Sequence, residues 1–517
     1  MELIKRNIHM NKLKSEVEFQ ITLDDDFNIS DTKPDVERII KDQGNIIITE
    51  TKVLQGKVNV KGMLEFTLLY FGSNNEINSM KGKVSFDENI NMDNVDTRDI
   101  VNLKYELEDL STMLINSRKI SIKSLITLKC IAEEIYDEET AISVGSDDDI
   151  KTISKTVDIT QIAINKKDIF RINENIVLPA NKKNILELIF SDVTLLNTDF
   201  RLMDGSISIK GEIMVFAIYL KEEGDFDYIE KEIPFSGSME LSDCNSDMIE
   251  NIGVVIGNRT VNARPDEDGE ERIIEVEVIL DVDIKVYSEE EIEIIKDIYS
   301  LNKDLRPLMK NADYECIRVK NSSKCRVSDR LKLDNIQPEV LQICNSTASV
   351  KIDEMEIVDD GISVDGAIVV QILYITEDDM MPLNSINAII PYSQIIEVKD
   401  IREDSIFDIT PTLEHIGVMM LGNREFEVKC VVDLNTIVFD RIIEPIISDI
   451  EEEDIDMEQL QKMPGIIGYI VKDGDTLWSI AKKFHSTVDR IRETNSFDKE
   501  DVSLGDKLLI IKQVSCN

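Results

Sequence analysis

The strongest constraint in this sequence is that one block is written three times. GKVNVKGMLEFTLLY (Gly56–Tyr70), GSISIKGEIMVFAIY (Gly205–Tyr219) and GISVDGAIVVQILY (Gly361–Tyr374) align, each with a glycine eight positions ahead of a tyrosine. The pairs are Gly62 and Tyr70, Gly211 and Tyr219, Gly366 and Tyr374. The earlier glycine of the third copy, Gly361, stands one residue closer to its tyrosine, so its turn must differ. The residues between alternate or run apolar and are rich in Val and Ile, as in strands packed on one or both faces. A period of about 150 residues means three copies of one structural unit.

Other features keep the register. Ahead of each block stands PDVERII from Pro34, ANKKNILELI from Ala180 or PEVLQI from Pro338. These read as short helices, with Pro34 and Pro338 at the first helical position, where a missing N–H costs nothing. Beyond each tyrosine come VSF (Val84–Phe86), IPF (Ile233–Phe235) and IPY (Ile390–Tyr392), ending 16, 16 and 18 residues later. Each copy closes on a long alternating strand, from Arg118, Glu271 and Arg424. The expected fold is mainly β: three tandem β-sandwich or barrel-like repeats, each with a short helix, at 12–145, 160–305 and 325–445. The glycines are expected at bulges or tight bends, and the repeated Tyr and Phe/Tyr in the core. Nothing in the repeat resembles a site. SDIEEEDIDMEQLQKMPG, from Ser448 to Gly465, shows no strand pattern. Residues 446–465 read as an acidic linker, extended by self-repulsion, that lets the last module search for a partner.

Composition narrows the function. At 517 residues the chain is long enough for three or four domains. Lys and Arg total 58 against 102 Asp and Glu, a net charge of −44 that repels nucleic acid and anionic membrane surfaces. Two readings of the acidity stand: solubility with an AT-rich codon bias, or steering toward a basic partner. From Ile466 onward eight basic residues balance eight acidic ones, so the excess acid lies upstream. Seven scattered cysteines without a CxxC pair argue against a disulfide framework and a zinc knuckle, and fit a reducing compartment. Cys130 and Cys430 sit within apolar alternation and read as core. No stretch approaches the roughly 18 apolar residues of a membrane span. The opening MELIKRNIHMNKLKSEVEF has no apolar run of about 7–15 residues such as a signal peptide needs, so a cytoplasmic location is expected.

The last fifty or so residues read as strand, helix, helix, strand, a small α+β domain at 466–512. Gly468–Lys472 is a strand and KDGD a turn. Asp475 or Thr476 caps a helix whose Leu477, Ile480, Ala481 and Phe484 form one apolar stripe. Ser486-x-x-Asp489 opens a second helix with Val488 and Ile491 inward, and Asn495 is suited to end it in a left-handed turn. Leu504-Gly505-Asp506 turns into the final strand, Lys507–Ile511. The run Tyr469-Ile470-Val471-Lys472-x-Gly474-Asp475-Thr476-Leu477-Trp478-x-Ile480-Ala481 resembles the signature of the LysM family, and Ile491, Asn495, Leu504, Gly505, Leu508 and Ile510 continue it. The chain departs from that signature by running on as LLIIKQ where the family places a proline. LysM modules bind polysaccharide in a shallow groove. The resemblance places Gly474, Asp475, Thr476 and Leu477 on one side of it and Asn495, Ser496 and Phe497 on the other. Backbone groups there can bond acetamido groups, with Leu477 and Phe497 as apolar walls. The same residues also build turns and caps, and both readings stand. Trp478, the single tryptophan, sits at the edge of the stripe, as half-buried core or as an exposed anchor for a protein surface.

Catalysis finds little support. A Cys-His enzyme needs a nucleophile and a base together, and the only histidines are His9, His415 and His485, none repeated. HExxH, GxSxG and GxxxxGK[ST] are absent. A glycosidase carboxylate pair stays open among 102 acids, but triplicated β-domains without a unique polar cluster point to a scaffold. No enzyme activity, cofactor or metal is expected. Three such repeats followed by a LysM resemble the SipL family of spore-coat morphogenetic proteins, whose repeats are called SPOCS domains. The resemblance covers nearly the whole chain. It implies a non-enzymatic adaptor in the mother-cell cytoplasm at the forespore surface. There its LysM would bind the coat-basement ATPase, stage IV sporulation protein A, helping that ATPase polymerise and recruit coat layers. That partner comes from the resemblance alone. A peptidoglycan or cortex-glycan binder and a phage-tail-like structural protein are the alternatives.

Overall fold

The computed structural model describes residues 2–511, apart from residues 75, 146–148, 222–223, 302, 335–336, 455–463 and 497–501. Each copy of the repeat is a unit of six strands. The first runs β1 (Leu3–Asn28), β2 (Val36–Leu54), β3 (Lys57–Gly72), β4 (Ile77–Asn91), β5 (Ile100–Asn116) and β6 (Lys119–Val144). The second runs β7 (Ile150–Val177), β8 (Ile185–Met203), β9 (Ser206–Lys221), β10 (Phe226–Glu240), β11 (Ile249–Pro265) and β12 (Glu271–Ser300). The third runs β13 (Lys303–Lys332), β14 (Val340–Val358), β15 (Gly361–Thr376), β16 (Leu383–Glu397), β17 (Ile406–Gly422) and β18 (Glu425–Asp454). In every copy the second, third and fourth strands form one antiparallel sheet, and the first, sixth and fifth form another. The two sheets close on a shared core, in the first copy Val58, Val60, Leu64, Phe66 and Tyr70 against Ile120, Ile122, Ile126, Leu128 and Cys130. Each repeat is therefore a β-sandwich.

The recurring residues are physically linked. Gly62 pairs with Phe86, Gly211 with Phe235 and Gly366 with Tyr392 across adjacent strands. A Cβ on Gly62 or Gly211 would lie 2.5 or 2.6 Å from the opposing ring, so the glycine is the seat of that ring. At Gly366 a Cβ would also meet the Lys351 carbonyl oxygen at 2.1 Å. Tyr70, Tyr219 and Tyr374 are fully buried, as expected. The earlier glycines Gly56 and Gly205 turn their hairpins at φ 71° and 73°. In the third copy that left-handed position belongs to Asp360 (φ 56°), and Gly361 already pairs in the strand with Val358 and Glu397. That is why its glycine stood one residue out. Cys130 and Cys430 are core residues whose thiols burial pushes up to about 11.

The short helices expected at Pro34, Ala180 and Pro338 are strands. β2, β8 and β14 begin there and pair with β3, β9 and β15. Two register shifts open each strand, at Val36/Arg38 and Ile39/Lys41 and at the matching places of the other copies. The bulges break the period of two, so residues three apart face one sandwich core (Val36 and Ile39, Ile185 and Leu188, Val340 and Ile343) while the next residue, Ile40, Ile189 or Cys344, turns to the ring axis, and together they imitate a helical i, i+3, i+4 stripe.

The three sandwiches close into a ring. β4 meets β8, β10 meets β14, and β16 meets β2. On the axis, Ile40, Leu69 and Phe71 of the first repeat pack with Ile189, Phe190, Phe216 and Ile218 of the second and Cys344, Leu373 and Leu383 of the third. Polar bonds fix the register: Arg38 donates to the Leu383 carbonyl oxygen, Gln43 to Asp192, and Gln342 to the Tyr228 hydroxyl. Below the ring, the first and sixth strands of each repeat continue as long antiparallel two-stranded ribbons that pack together through Ile8, Met10, Val157, Ile159, Ile292, Ile294, Ala312, Tyr314 and Ile446. The last of these ribbons corrects the linker. β18 runs to Asp454, through residues expected to lack strand pattern. Ile446 and Ile447 are buried, and β13 offers Lys303 to Glu452 and Arg306 to Glu451. The acids hid an alternating strand because their countercharges lie on a partner about 150 residues earlier. The rest of that segment, 455–463, lies outside the described residues.

The C-terminal domain follows the expected order: β19 (Ile466–Ile470), α1 (Leu477–Lys483), α2 (Val488–Asn495) and β20 (Lys507–Ile511), with β19 and β20 antiparallel. Thr476 caps α1, its hydroxyl accepting from the Ser479 amide. Two local expectations shift by one residue. Thr487, not Ser486, caps α2, because the Ser486 hydroxyl donates to the Ile511 carbonyl oxygen. Ser496, not Asn495, takes the left-handed conformation that ends it.

Candidate functional site

The residues expected to line the LysM groove are mostly occupied by the module's own structure. Gly474 makes the first turn at φ 81°. The Asp475 carboxylate accepts from the Tyr469 hydroxyl at 2.7 Å and the Lys472 amide at 2.8 Å, and those bonds hold its pKa below the usual range. Thr476 is the α1 cap and Leu477 is 3 % exposed, in the core with Ile480, Ala481, Ile491, Leu508 and Ile510. The Asn495 amide donates to the Ile491 and Leu509 carbonyl oxygens, and its side-chain oxygen accepts from the Leu509 amide at 2.7 Å, pinning α2 to β20. Ser496 is the left-handed cap, and Phe497 lies outside the described residues. Among the described residues, those of the groove that lie open to solvent are Gly474, Thr476 and Ser496.

Trp478 does neither of the things expected of it alone. It packs on the edge of the module's core, and it faces the second repeat. Its ring stacks edge-on with Tyr299 at 4.8 Å between centroids, and its indole N–H donates to Asp297 at 2.8 Å. One turn on, Lys482 donates to the other Asp297 oxygen at 2.6 Å. The Tyr299 hydroxyl donates to the Ser486 carbonyl oxygen at 2.9 Å, and Leu301 completes the apolar contact. Burial works against the Asp297 charge, but the bonds from Lys482 and Trp478 prevail and hold its pKa below the usual carboxylate range. Sequence reasoning missed Asp297 and Tyr299, because nothing local ties KDIYS to a module some 180 residues later. A signal was present: in register with Ile295, Ile447 and Ala141, the other ribbons carry Asp449 and Glu451, or Ser143 and Gly145, in place of the Asp-x-Tyr pair.

A second concave site lies on the ring axis, a cavity of about 540 Å³ walled by all three repeats. Gln43, Asp192 and Thr347 occupy equivalent positions in it, as do Asn45, Thr194 and Ser349. Asp192 is taken up by Arg259 and Gln43. Neither a histidine nor a cysteine lines it, and its polar groups form no nucleophile–base couple. His9 instead bonds Asp137 on a ribbon, and His485 faces the Ser300 carbonyl oxygen. Among the described residues no helix is long and apolar enough to cross a membrane.

Comparison with known families finds both kinds of unit. The family model described as SipL, SPOCS domain, matches residues 35–115, 184–263 and 339–421, which are the second to fifth strands of each repeat. The LysM domain model matches residues 469–510. No curated protein and no solved structure matches the chain. SPOCS and LysM are non-catalytic binding domains, and together they fit a sporulation-related adaptor. The chain is thus a SipL-like protein, three SPOCS domains closed into a ring and followed by a LysM domain.

Proposed function

We propose that this chain is a non-enzymatic morphogenetic adaptor of the bacterial spore coat. Its three SPOCS domains form the scaffold. Its LysM domain binds the coat-basement ATPase, stage IV sporulation protein A, in the mother-cell cytoplasm at the forespore surface. The observation that carries the reading is the state of the LysM groove. Asp475, Leu477 and Asn495 are engaged in the module's own turn, core and strand contacts, which leaves few free groups for a sugar. An aromatic residue with a polar tip, Trp478, is instead at a contact between two domains of the chain, and such side chains are enriched at protein interfaces. The second reading, a cortex-glycan binder, draws on the LysM match itself and on exposed Gly474 and Thr476.

The test is capture by the full-length chain, immobilised in parallel against the purified ATPase and against peptidoglycan sacculi. The adaptor retains the ATPase and not sacculi, and a chain ending at Asp454 retains neither. Retention of sacculi without the ATPase sinks the adaptor and establishes the glycan binder.

A further inference from the structure

The contact between the LysM domain and the second repeat is small, polar and directional. On the repeat side it consists of Asp297, Tyr299 and Leu301, with the Ser300 carbonyl oxygen facing His485, at the end of the two-stranded ribbon of β7 and β12. The equivalent ribbon ends of the first and third repeats lack the Asp-x-Tyr pair, so the module has one seat among three similar ribbons. At that seat Tyr299 is only 4 % exposed and Leu301 only 8 %, both within the cluster that holds the LysM core. The contact holds the module's most interface-prone side chain, an indole whose N–H is already satisfied. Contacts this limited between domains of one chain are the kind that open and close.

We propose that the end of the second repeat's β7–β12 ribbon is a reversible latch. It closes the Trp478 face of the LysM domain, and a partner that reads this face must first displace Asp297 and Tyr299. The closed form leaves Gly474 and Thr476 open to solvent and covers part of the indole, including its N–H. The open form trades one carboxylate acceptor and one edge-on ring for whatever the partner supplies. That exchange favours a partner presenting an acidic or amide acceptor beside an aromatic or aliphatic surface. Residues 455–463 keep the released module covalently within reach of its seat, so closure remains a local, intramolecular event. The effect on partner binding rests on the adaptor reading above, whereas the closure itself does not.

Trp478 is the only tryptophan, so the emission of the full-length chain reports this face alone. The experiment compares acrylamide quenching of the wild-type chain with that of Asp297→Lys, which removes both bonds and repels Lys482. Asp297→Asn keeps an acceptor for the indole. Losing a charge-assisted bond of this kind lowers the closed-to-open ratio by about tenfold or more. Asp297→Lys is therefore expected to shift emission to the red and raise quenching well above wild type, with Asp297→Asn between them. Hydrogen exchange at the Leu509 amide, held by Asn495, separates release from unfolding of the module and is expected to stay slow. Equal quenching in wild type and Asp297→Lys overturns the latch. In the partner arm, Asp297→Lys is expected to bind the coat ATPase more tightly than wild type. Equal or weaker binding with the indole exposed overturns the competition. If neither chain binds the ATPase while quenching responds as expected, closure stands and the adaptor reading fails.

Discussion

The seams between the three repeats and the seam between the repeats and the LysM domain balance apolar and polar contact differently. Each repeat seam draws apolar side chains from several strands into clusters that all three copies share, on the axis and again among the ribbons. The LysM seam has a carboxylate at its centre and one aromatic pair beside it. Burial of apolar surface is non-directional and adds up with area, so the first kind of seam makes one body. A charge-assisted bond is strong only in one geometry and is readily replaced by another donor or acceptor, so the second kind makes a contact that can be exchanged. The ring then acts as the platform and the LysM domain as the movable part.

The sharpest way to break this comparison is Phe216→Ala on the ring axis. Phe216 is 1 % exposed and packs beside Phe190 and Tyr228, and truncating such a ring costs about 3–5 kcal/mol. Denaturant unfolding is expected to show one transition, shifted for all three repeats. If hydrogen exchange finds the second repeat open and the others protected, the seams are not what holds the ring. A smaller effect comes from Glu315, among the ribbons. Burial, with Asp313 and Glu133 nearby and Arg441 opposing them, raises its pKa to about 7. A carboxyl raised in the folded state favours folding while it keeps its proton. That contribution is complete below the unfolded value near 4.5 and is lost as pH rises toward about 7, up to about 3 kcal/mol. Glu315→Gln removes the loss, so its stability gain over wild type is expected at pH 8 and not at pH 4. A gain that is the same at both values overturns the assignment. The LysM seam titrates the other way. Asp297 is held below its usual value, so closure is complete above about pH 4 and is lost only as pH falls further. Lys482 and the Trp478 indole face it, and His485 stands at the same seam against the Ser300 carbonyl oxygen. Emission of Trp478 is expected to stay constant from pH 8 to pH 5; a midpoint near neutrality would mean that another group controls closure.

These differences also explain what the sequence made legible. The three copies, their sandwich class and the buried tyrosines follow from apolar alternation and from glycines that sit under Phe86, Phe235 and Tyr392. The LysM domain was readable because its caps and turns are local. The strands at Val36, Ile185 and Val340 were not, because paired bulges gave them the spacing of helices. The end of β18 was hidden by acids whose countercharges lie on β13. The latch was out of reach for a stronger reason: Asp297 and Trp478 lie on different domains, and each alone has an ordinary role. Cross-chain pairings of this kind leave no periodicity.

The smallest effect tests the platform from a place that touches neither seam. Gly56 and Gly205 carry the left-handed turn in two repeats, while Asp360 carries it in the third. A side chain in that conformation is strained by about 1 kcal/mol, partly offset by the extra freedom glycine has when unfolded. Asp360→Gly is therefore expected to stabilise the chain by only about 0.5 kcal/mol or less. If the ring is one body, the gain appears as a higher midpoint for the whole ring, including the first repeat about 300 residues away in sequence. The exposure of Trp478 stays unchanged, because closure depends on Asp297 and Tyr299 and not on how firmly the third repeat is folded. A gain confined to the third repeat would mean three sandwiches that unfold separately. A change in Trp478 quenching would mean that the LysM seam is coupled to the ring and not simply seated on it.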